Sequence, residues 1–262
     1  MNRKWGWKRP LPDQRDFLFA AISPRIKLPM VVYLLCPPIQ DQGAEGSCVF
    51  NAITTDMEFI DIVRGDDEEY EMFSRQFAYY NYRKWLADVT EDPSVVQQDT
   101  GASIRDAVKL VAKMGVCRES LWPYIPMDAP DTNFATEPSD EAKEDAKNHK
   151  IKSYYAVKTV DDMQQCLAAG FGFLGGVAVY DSFMSPEVTA TGIIPMPSKN
   201  ERLLGGHAIW IWGYDRHKKI FKGQNSWGED WGQKGHFEIP FDYLGNPALA
   251  DDFWTIRTII AK

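Results

Sequence analysis

The stretch QDQGAEGSC, residues 40–48, sets two glycines and a serine directly before a cysteine. Apolar residues at helical spacing follow it: Ile53, Met57, Ile60 and Val63. Gly65, just after them, is suited to end a helix, so the pattern predicts a helix that begins at Cys48. The unpaired N–H groups and the dipole at a helix N-terminus favour a thiolate over a thiol. Cys48 is therefore either a sulfur nucleophile or, since free cysteines are commonly buried and inert, an ordinary core residue.

Two further helices are predicted in the first half of the chain. The runs SRQFAYYNYRKWL from Ser74 and SIRDAVKLVAKMG from Ser103 each begin with a residue that caps helix N-termini, and Gly115 ends the second run. Prolines in residues 1–29 predict an extended arm before these helices. The charged residues 127–150 predict a solvated connector after them, with one short exposed helix.

Strands are predicted in the second half, after a short helical piece at residues 161–169. The strand-like segments are FLGGVAVY, HAIWIWGY, IFKGQNSW, GHFEIP and FWTIRTII, and turn-forming residues separate them. No helix-sized crossover lies between these segments, which favours antiparallel pairing. The chain therefore has the pattern of an α+β fold, with a helical lobe followed by a β lobe.

Composition argues against several classes of protein. The 262 residues include 29 Lys and Arg against 37 Asp and Glu, a net charge of -8, which argues against nucleic acid as a partner. The apolar run 30–36 is too short to cross a membrane and badly placed for a signal peptide, so we expect a cytoplasmic protein with no membrane partner. Four cysteines are too few for a disulfide scaffold, although a single bridge such as Cys36–Cys117 stays open.

Of the four histidines, His207 is the candidate partner of Cys48. It follows two glycines and begins an apolar strand, whereas the others lie in the charged connector, in a lysine-rich turn and near the start of another strand. A histidine in this position is either a satisfied core residue or a base for the cysteine. Asn225, two residues before Trp227, is either part of a turn or the amide that orients the imidazole without adding charge.

Three blocks of the sequence resemble the active-site blocks of the papain family of cysteine peptidases. They occur in the order QGAEGSC, GGHAIWIWGYD and NSWGEDWGQKGHFEIP. The helical segments between them resemble those of its bacterial-type members, so the resemblance extends from Leu28 to the C-terminus. It implies a papain-like two-lobed α+β fold. Residues 28–127 would form the helical lobe with the nucleophile, residues 128–262 an antiparallel β-barrel-like lobe with the histidine and the asparagine, and residues 1–27 an N-terminal extension.

The resemblance also implies a role for each residue of the site. Cys48 is the nucleophile, His207 the general base and later acid, and Asn225 the residue that orients His207. Gln42 lies six positions before Cys48, as in the family, where the glutamine amide and the backbone N–H of the nucleophile form an oxyanion hole. The implied reaction is the hydrolysis of peptide bonds by an endopeptidase through a thioester, with a protein or peptide as substrate. No cofactor is implied, and the absence of C-x-x-C and H-x-x-x-H spacings argues against a metal site.

Further positions are implied to bind the substrate or to shield the site. Trp227 covers the hydrogen bond between the asparagine and the histidine. Gly101 belongs to the wall of the cleft and offers backbone hydrogen bonds to an extended peptide. Ala102 and Ala208, with Ser103, line the main side-chain pocket, which predicts a roomy apolar site.

Two residues depart from the family pattern Cys-Gly-Ser-Cys-Trp. Glu45 stands in place of the first cysteine and Val49 in place of the tryptophan. The disulfide that is usually anchored there is therefore absent, which fits a reducing compartment.

The activity and the N-terminal extension each leave alternatives. Fold and triad do not fix the acyl acceptor, so a transpeptidase or isopeptidase with the same triad is one alternative, and a non-catalytic peptide-binding homologue is another. The extension, with Trp5, Trp7 and Phe17, is interpreted either as a short inhibitory arm or as a strap packed on the β lobe.

Overall fold

The computed structural model describes residues 3–64 and 70–260, and of Arg64 only the backbone. The α-helices of the described residues are α1 (Cys48–Arg64), α2 (Arg75–Thr90), α3 (Ile104–Met114), α4 (Asp140–Ala146), α5 (Val160–Ala168), α6 (Pro186–Thr191) and α7 (Phe241–Leu244). The strands are β1 (Val31–Tyr33), β2 (Lys150–Ala156), β3 (Phe173–Tyr180), β4 (Leu203–Asp215), β5 (Ile220–Gln224), β6 (His236–Pro240) and β7 (Ala250–Ile260). Short 3-10 helices lie at Phe19–Ala21, Pro93–Gln97 and Asp181–Met184.

The three helices predicted in the first half of the chain are present as α1, α2 and α3. α1 begins at Cys48, while its predicted end, Gly65, lies outside the described residues. The side chains of Ser74 and Ser103 each accept a hydrogen bond from a backbone N–H in the first turn of α2 and α3, as N-caps do. Gly115 follows α3 with a φ of 87°, a value that favours glycine.

The strands form an antiparallel sheet in the order β2-β7-β3-β4-β5-β6, and β1 pairs with residues 213–215 of β4. The predicted antiparallel α+β fold is therefore confirmed. The sheet is open, however, so the expected barrel-like closure is wrong. β2 and β6 lie at opposite ends of the strand order and do not pair with each other in the described residues, so the sheet keeps two edges. β1 joins this sheet although it lies within the range expected for the helical lobe.

One face of the sheet is covered by α1 and α3. Asp56 on α1 is completely buried and accepts hydrogen bonds from Trp210 Nε1 of β4 at 2.7 Å and from the backbone N–H of Ile256 in β7 at 3.1 Å. Because a buried carboxylate is costly without such donors, these bonds hold α1 in one position across the sheet. The N-terminus of α1 consequently lies against the middle of β4.

Residues 3–30 of the N-terminal arm contain no α-helix, and residues 11–26, which we call the strap, lie on the outside of the protein. Asp16 forms an ion pair with Arg105 of α3 at 2.8 Å, and the carbonyl of Phe17 accepts a main-chain N–H of β2 at 2.8 Å. The side chain of Phe19 is 1% exposed and belongs to the hydrophobic cluster on the second face of the sheet. The strap therefore contacts both the helices and the sheet.

The charged connector is less exposed than predicted. Its short helix, α4, is present as expected, but Ala142 and Ala146 lie one turn apart on it and both are buried. This spacing gives an otherwise acidic helix an apolar stripe, which packs in the cluster between the helices and the sheet. His149, which follows α4, is only 4% exposed.

The structure also bears on the cysteines, on metal ligands and on membrane spans. All four cysteines are free, so the Cys36–Cys117 bridge that the sequence left open is not formed. Within residues 3–64 and 70–260, no three His, Cys, Asp or Glu side chains come together as ligands of a metal ion would. Of the described helices, none has the length and apolar composition that a membrane crossing requires.

Candidate active site

Cys48 is the first residue of α1, and its side chain is completely buried. The carbonyl of Ser47 accepts hydrogen bonds from the N–H groups of Phe50 at 2.9 Å and Asn51 at 3.1 Å, so the first turn of the helix forms at the cysteine. The Sγ atom accepts the N–H of Ala208 in β4 at 3.4 Å. The sulfur therefore lies where the helix meets the sheet.

His207, in β4, is completely buried and its ring is fixed by Asn225. Its Nε2 lies 2.8 Å from Asn225 Oδ1, which also accepts the backbone N–H of Ser226 at 2.8 Å. Because Oδ1 is the acceptor in both bonds, His207 Nε2 carries the proton and Nδ1 is left as the basic nitrogen. Nδ1 has no hydrogen-bond partner in the part of the chain that the structure describes. The ring of Trp227 covers the imidazole, with 4.7 Å between the ring centroids.

Gln42 is held with its amide nitrogen facing the cleft, the groove beside Cys48 that is bordered by Ala102, Gly206 and Trp227. Its Oε1 accepts the hydroxyl of Ser226 at 2.7 Å, and its Nε2 donates to the carbonyl of Glu45 at 2.6 Å. The same Nε2 is 3.5 Å from the carbonyl of Lys4, which lies in the cleft. Gly43 follows with a φ of 58°, so the chain can turn back toward α1. One N–H of the Gln42 amide thus points to where a carbonyl oxygen can bind.

Burial favours the uncharged forms of both Cys48 and His207 in this structure. It raises the pKa of the Cys48 thiol to about 11, although nearby backbone N–H groups lower it in part. It lowers the pKa of His207 to about 4, and the hydrogen bond to Asn225 offsets this only in part. A thiolate–imidazolium pair therefore needs water to reach the site.

A family model described as Papain family cysteine protease matches residues 33–246. The chain belongs to the papain family. It is therefore a papain-like cysteine peptidase, a hydrolase, as the sequence indicated.

Similar proteins come from several organisms. The chain is 34% identical to an uncharacterised peptidase C1-like protein of Acanthamoeba polyphaga mimivirus, over 99% of this chain and 88% of that protein. The chain is 37% identical in sequence to xylellain, a cysteine protease from Xylella fastidiosa. The crystal structure of xylellain superposes with a TM-score of 0.87 over 98% of this chain and 97% of that one. Digestive procathepsin L 3 of Tenebrio molitor, 15% identical, shares the fold with a TM-score of 0.66 over 98% of this chain and 76% of that one.

Residues 3–8, which we call the plug, run through the cleft of this papain-family protein. Gly6 lies directly against the site: a Cβ atom added to it would be 1.9 Å from the carbonyl oxygen of Gly46 and 3.0 Å from Cys48 Sγ. Only glycine leaves room for such an approach. The plug therefore covers the cysteine sulfur.

Main-chain hydrogen bonds hold the plug on one side of Cys48. The N–H of Ala102 donates to the carbonyl of Gly6 at 2.7 Å, and the carbonyl of Ala102 accepts the N–H of Lys8 at 2.8 Å. The N–H of Trp7 donates to the carbonyl of Gly206 at 3.0 Å. Any extended peptide can form bonds of this kind.

Side chains hold the plug on the other side of Cys48. Arg3 forms an ion pair with Asp41 at 2.5 Å and donates to the carbonyl of Trp227 at 2.9 Å. The ring of Trp5 meets that of Trp227 edge-on, with 6.1 Å between the centroids. The arm thus has both of the parts that the sequence left as alternatives: a segment in the cleft and a strap on the outside.

The positions implied to bind the substrate differ in what they offer. The N–H of Gly101 donates to the hydroxyl of Tyr79 at 2.8 Å, so this group is already engaged and Ala102 supplies the main-chain bonds in the cleft. Ala102 and Ala208 belong with Trp7 to one hydrophobic cluster. Ser103 caps α3 instead.

Sequence reasoning missed Ser226, Tyr124 and Asp252. Ser226 lies inside a quoted motif, but its contact with Gln42 joins positions 184 residues apart. The Tyr124 hydroxyl donates to the carbonyl of Gln42 at 2.8 Å, again across a long separation. Asp252 accepts a hydrogen bond from Trp7 Nε1 at 3.2 Å, and its backbone has a φ of 61°. No local sequence pattern indicates either feature.

Proposed function

We propose that the chain is an endopeptidase that hydrolyses peptide bonds through a thioester on Cys48, and that the plug holds it latent. The observation that carries this proposal is that extended main chain passes through the cleft on both sides of Cys48. A cleft of this kind accepts the interior of a polypeptide, whereas removal of terminal residues needs a cleft closed at one end. The similarity to xylellain, described as a cysteine protease, supports peptide hydrolysis.

Acylation begins once the plug has left and water has entered the cleft. Cys48 Sγ gives its proton to Nδ1 of His207, whose Nε2–H remains bonded to Asn225. The thiolate attacks the carbonyl carbon of the substrate, and the oxyanion accepts hydrogen bonds from Gln42 Nε2 and from the backbone N–H of Cys48. His207 then protonates the amine nitrogen, the C–N bond breaks and a thioester remains on the sulfur.

Deacylation repeats these steps with water in place of the thiol. His207 Nδ1 takes a proton from the water as its oxygen attacks the thioester carbonyl. The oxyanion occupies the same hole, the C–S bond breaks and the carboxylic acid leaves, while the proton returns to the sulfur. Trp227, packed against the imidazole, keeps water from the hydrogen bond to Asn225 throughout.

The test uses the full chain with Gly6→Val, because a side chain at this position cannot fit against Gly46. An epoxide inhibitor of thiol proteases should add once to this protein, as read by intact mass, and Cys48→Ala in the same background should take up none. A peptide blocked at both ends should be cleaved at an internal bond. Absence of an adduct on the Gly6→Val chain would contradict the proposed nucleophile. Capture of the acyl group by an added amine in preference to water would instead indicate a transpeptidase.

Acid should favour opening of the plug. With the plug seated, burial lowers the pKa of His207 to about 4, and hydration in the open cleft should return it toward 6.5. The open form then binds the proton more tightly, so the closed form keeps its full advantage above about pH 6.5 and loses it as the pH falls toward about 4. We expect the labelling rate of the unaltered chain, divided by that of Gly6→Val at the same pH, to rise roughly tenfold from about pH 7 to about pH 5. A ratio that stays flat would show that His207 is not coupled to the plug.

A further inference from the structure

Trp7 fills a pocket next to Cys48 and is 7% exposed. A Cβ atom at Gly176 would be 1.9 Å from Trp7 Cε2, and one at Gly206 would be 2.7 Å from Trp7 Cε3. On both walls, the space for the indole exists only because these positions have no side chain. The pocket therefore has room for a large, flat aromatic group.

Asp252 supplies the polar atom of this pocket. Its Oδ2 accepts Trp7 Nε1 at 3.2 Å and the N–H of Ile104, at the start of α3, at 2.7 Å. Its Oδ1 accepts the N–H of Arg105 at 3.2 Å and Trp254 Nε1 at 2.7 Å. Three of these four donors belong to α3 and β7, so the carboxylate stays oriented when Trp7 leaves. One acceptor position then faces the empty pocket.

Asp252 reaches the pocket because β7 bulges at this point. Between β3 and β7, Leu174 pairs with Trp254 and Gly176 pairs with Asp251. The two pairs are therefore separated by two residue positions on β3 but by three on β7. Asp252, inside the bulge, has a φ of 61°, in the left-handed region that favours glycine. Bulges commonly redirect a side chain next to an active site, and strain of this kind persists where it serves a function.

We propose that this pocket, which the sequence already implied to be the main side-chain pocket, takes a tryptophan side chain of the substrate, with Asp252 accepting the indole N–H. The proposal rests on the proposed peptidase function, because it identifies the class of peptide that the open cleft cleaves. A substrate can use the main-chain groups of Ala102 and Gly206, as the plug does, and so present one side chain to the pocket. Main chain can pair with these groups in either direction.

Other side chains satisfy only part of this pocket. Phenylalanine fills its space but leaves the free acceptor position of Asp252 unpaired, which is unfavourable for a buried group. Arginine can pair with the carboxylate but does not fill the flat space that the indole occupies. The substrate class that matches both features is a peptide with tryptophan at the pocket position.

The experiment uses the full chain with Gly6→Val and peptides blocked at both ends, in which each residue near the cleaved bond is varied in turn. One position should show a strong preference for tryptophan. At that position, 2-naphthylalanine, which keeps the shape but lacks the N–H, should lower kcat/KM about tenfold. Equal rates for tryptophan and 2-naphthylalanine, or a preference for arginine, would overturn the proposal.

Paired variants identify the acceptor. In Asp252→Asn, an NH2 group that can only donate replaces one carboxylate oxygen, so the side chain can no longer accept from all of its donors and the ratio of tryptophan to 2-naphthylalanine rates should fall toward one. Asp251→Asn, at the neighbouring and more exposed acid, should leave the ratio unchanged. If Asp252→Asn does not fold, the rates of the two peptides with the unaltered pocket still show whether the pocket recognises the indole N–H.

A binding measurement separates this proposal from the proposed function. Synthetic plug peptides with tryptophan or 2-naphthylalanine at position 7 are titrated into the Gly6→Val chain with Cys48→Ala. About tenfold tighter binding of the tryptophan peptide supports the pocket even if no peptide is hydrolysed. Equal binding would refute the pocket even if hydrolysis is observed.

Discussion

Gly6→Val should raise the rate at which an epoxide inhibitor labels Cys48 in the full chain by about 100-fold or more at neutral pH. A Cβ at residue 6 would be 1.9 Å from the carbonyl oxygen of Gly46, a backbone atom just before α1, where the bond of the Gly46 N–H to Asp99 holds the loop in place. Valine at this position therefore prevents the plug from seating. The cleft stays open and the sulfur is accessible.

The size of this effect follows from what the seated plug buries. Burying a large apolar side chain such as that of Trp7 contributes about 3 kcal/mol, and each main-chain hydrogen bond to Ala102 or Gly206 adds roughly 1 kcal/mol net. Because 1.4 kcal/mol corresponds to about tenfold, the open form of the unaltered chain is below about one per cent of the population. Removing the closed form therefore increases labelling at least about 100-fold.

Lys8→Val is the matched control. It places the same β-branched residue two positions along the plug, where the side chain is exposed, so labelling should stay close to that of the unaltered chain. The strap contacts at Asp16 and Phe19 are untouched in both variants, and thermal unfolding should confirm that neither loses its fold. If Gly6→Val and the unaltered chain are labelled at the same rate, the plug does not control access to Cys48.

Cys48, His207 and Asn225 could be chosen as candidates because the residues around each of them predict a local structure. The sequence predicts a helix that begins at the cysteine, an apolar strand that begins at the histidine and a turn that holds the asparagine before a tryptophan. The helix begins as predicted, whereas the strand begins earlier than predicted, at Leu203. Cys48 lies beside the strand that carries His207 because α1 packs across β4, and the buried Asp56 that fixes this packing had no visible role in the sequence. The catalytic roles of these residues remain predictions.

The features that could not be anticipated depend on contacts between distant segments. β1 has three residues, too few to show an alternation, and its pairing with β4 joins positions about 180 apart. The left-handed backbone of Asp252 arises from a mismatch between β3 and β7, which neither strand reveals alone. The choice between plug and strap was also undetermined, because one segment contains both and the contacts that distinguish them, such as that of Gly6 with Gly46, join distant parts of the chain.

Hydrogen bonds fix the loop before Cys48, where other members of the family usually have a disulfide. Glu45, which replaces the cysteine, is completely buried, and burial raises the pKa of its carboxyl to about 8. The loop is instead held by hydrogen bonds: Tyr124 donates to the carbonyl of Gln42 at 2.8 Å, and Asp99 accepts the N–H of Gly46 at 3.0 Å. These bonds fix the backbone on both sides of Glu45. The Gln42 amide is thereby presented to the cleft without a covalent link.

Gln42→Ala, made in the Gly6→Val chain, should lower kcat for peptide hydrolysis about 100- to 1000-fold. Its Nε2 is proposed to donate to the oxyanion, and that bond strengthens as negative charge develops on the carbonyl oxygen. Peptide affinity should change little, because Ala102 and Gly206 supply the main-chain bonds. The measurement is a comparison of kcat with the dissociation constant of the peptide in both proteins.

Two further measurements separate lost transition-state stabilisation from a damaged loop. Alkylation of Cys48 by iodoacetamide forms no oxyanion, so its rate should be nearly the same with and without Gln42. Ser226→Ala removes the hydroxyl that holds Gln42 Oε1 at 2.7 Å and should give a smaller fall in kcat, since the amide is still present but is less well oriented. If Gln42→Ala slows alkylation as much as hydrolysis, the glutamine supports the structure around Cys48 rather than the oxyanion, and the assigned role is wrong.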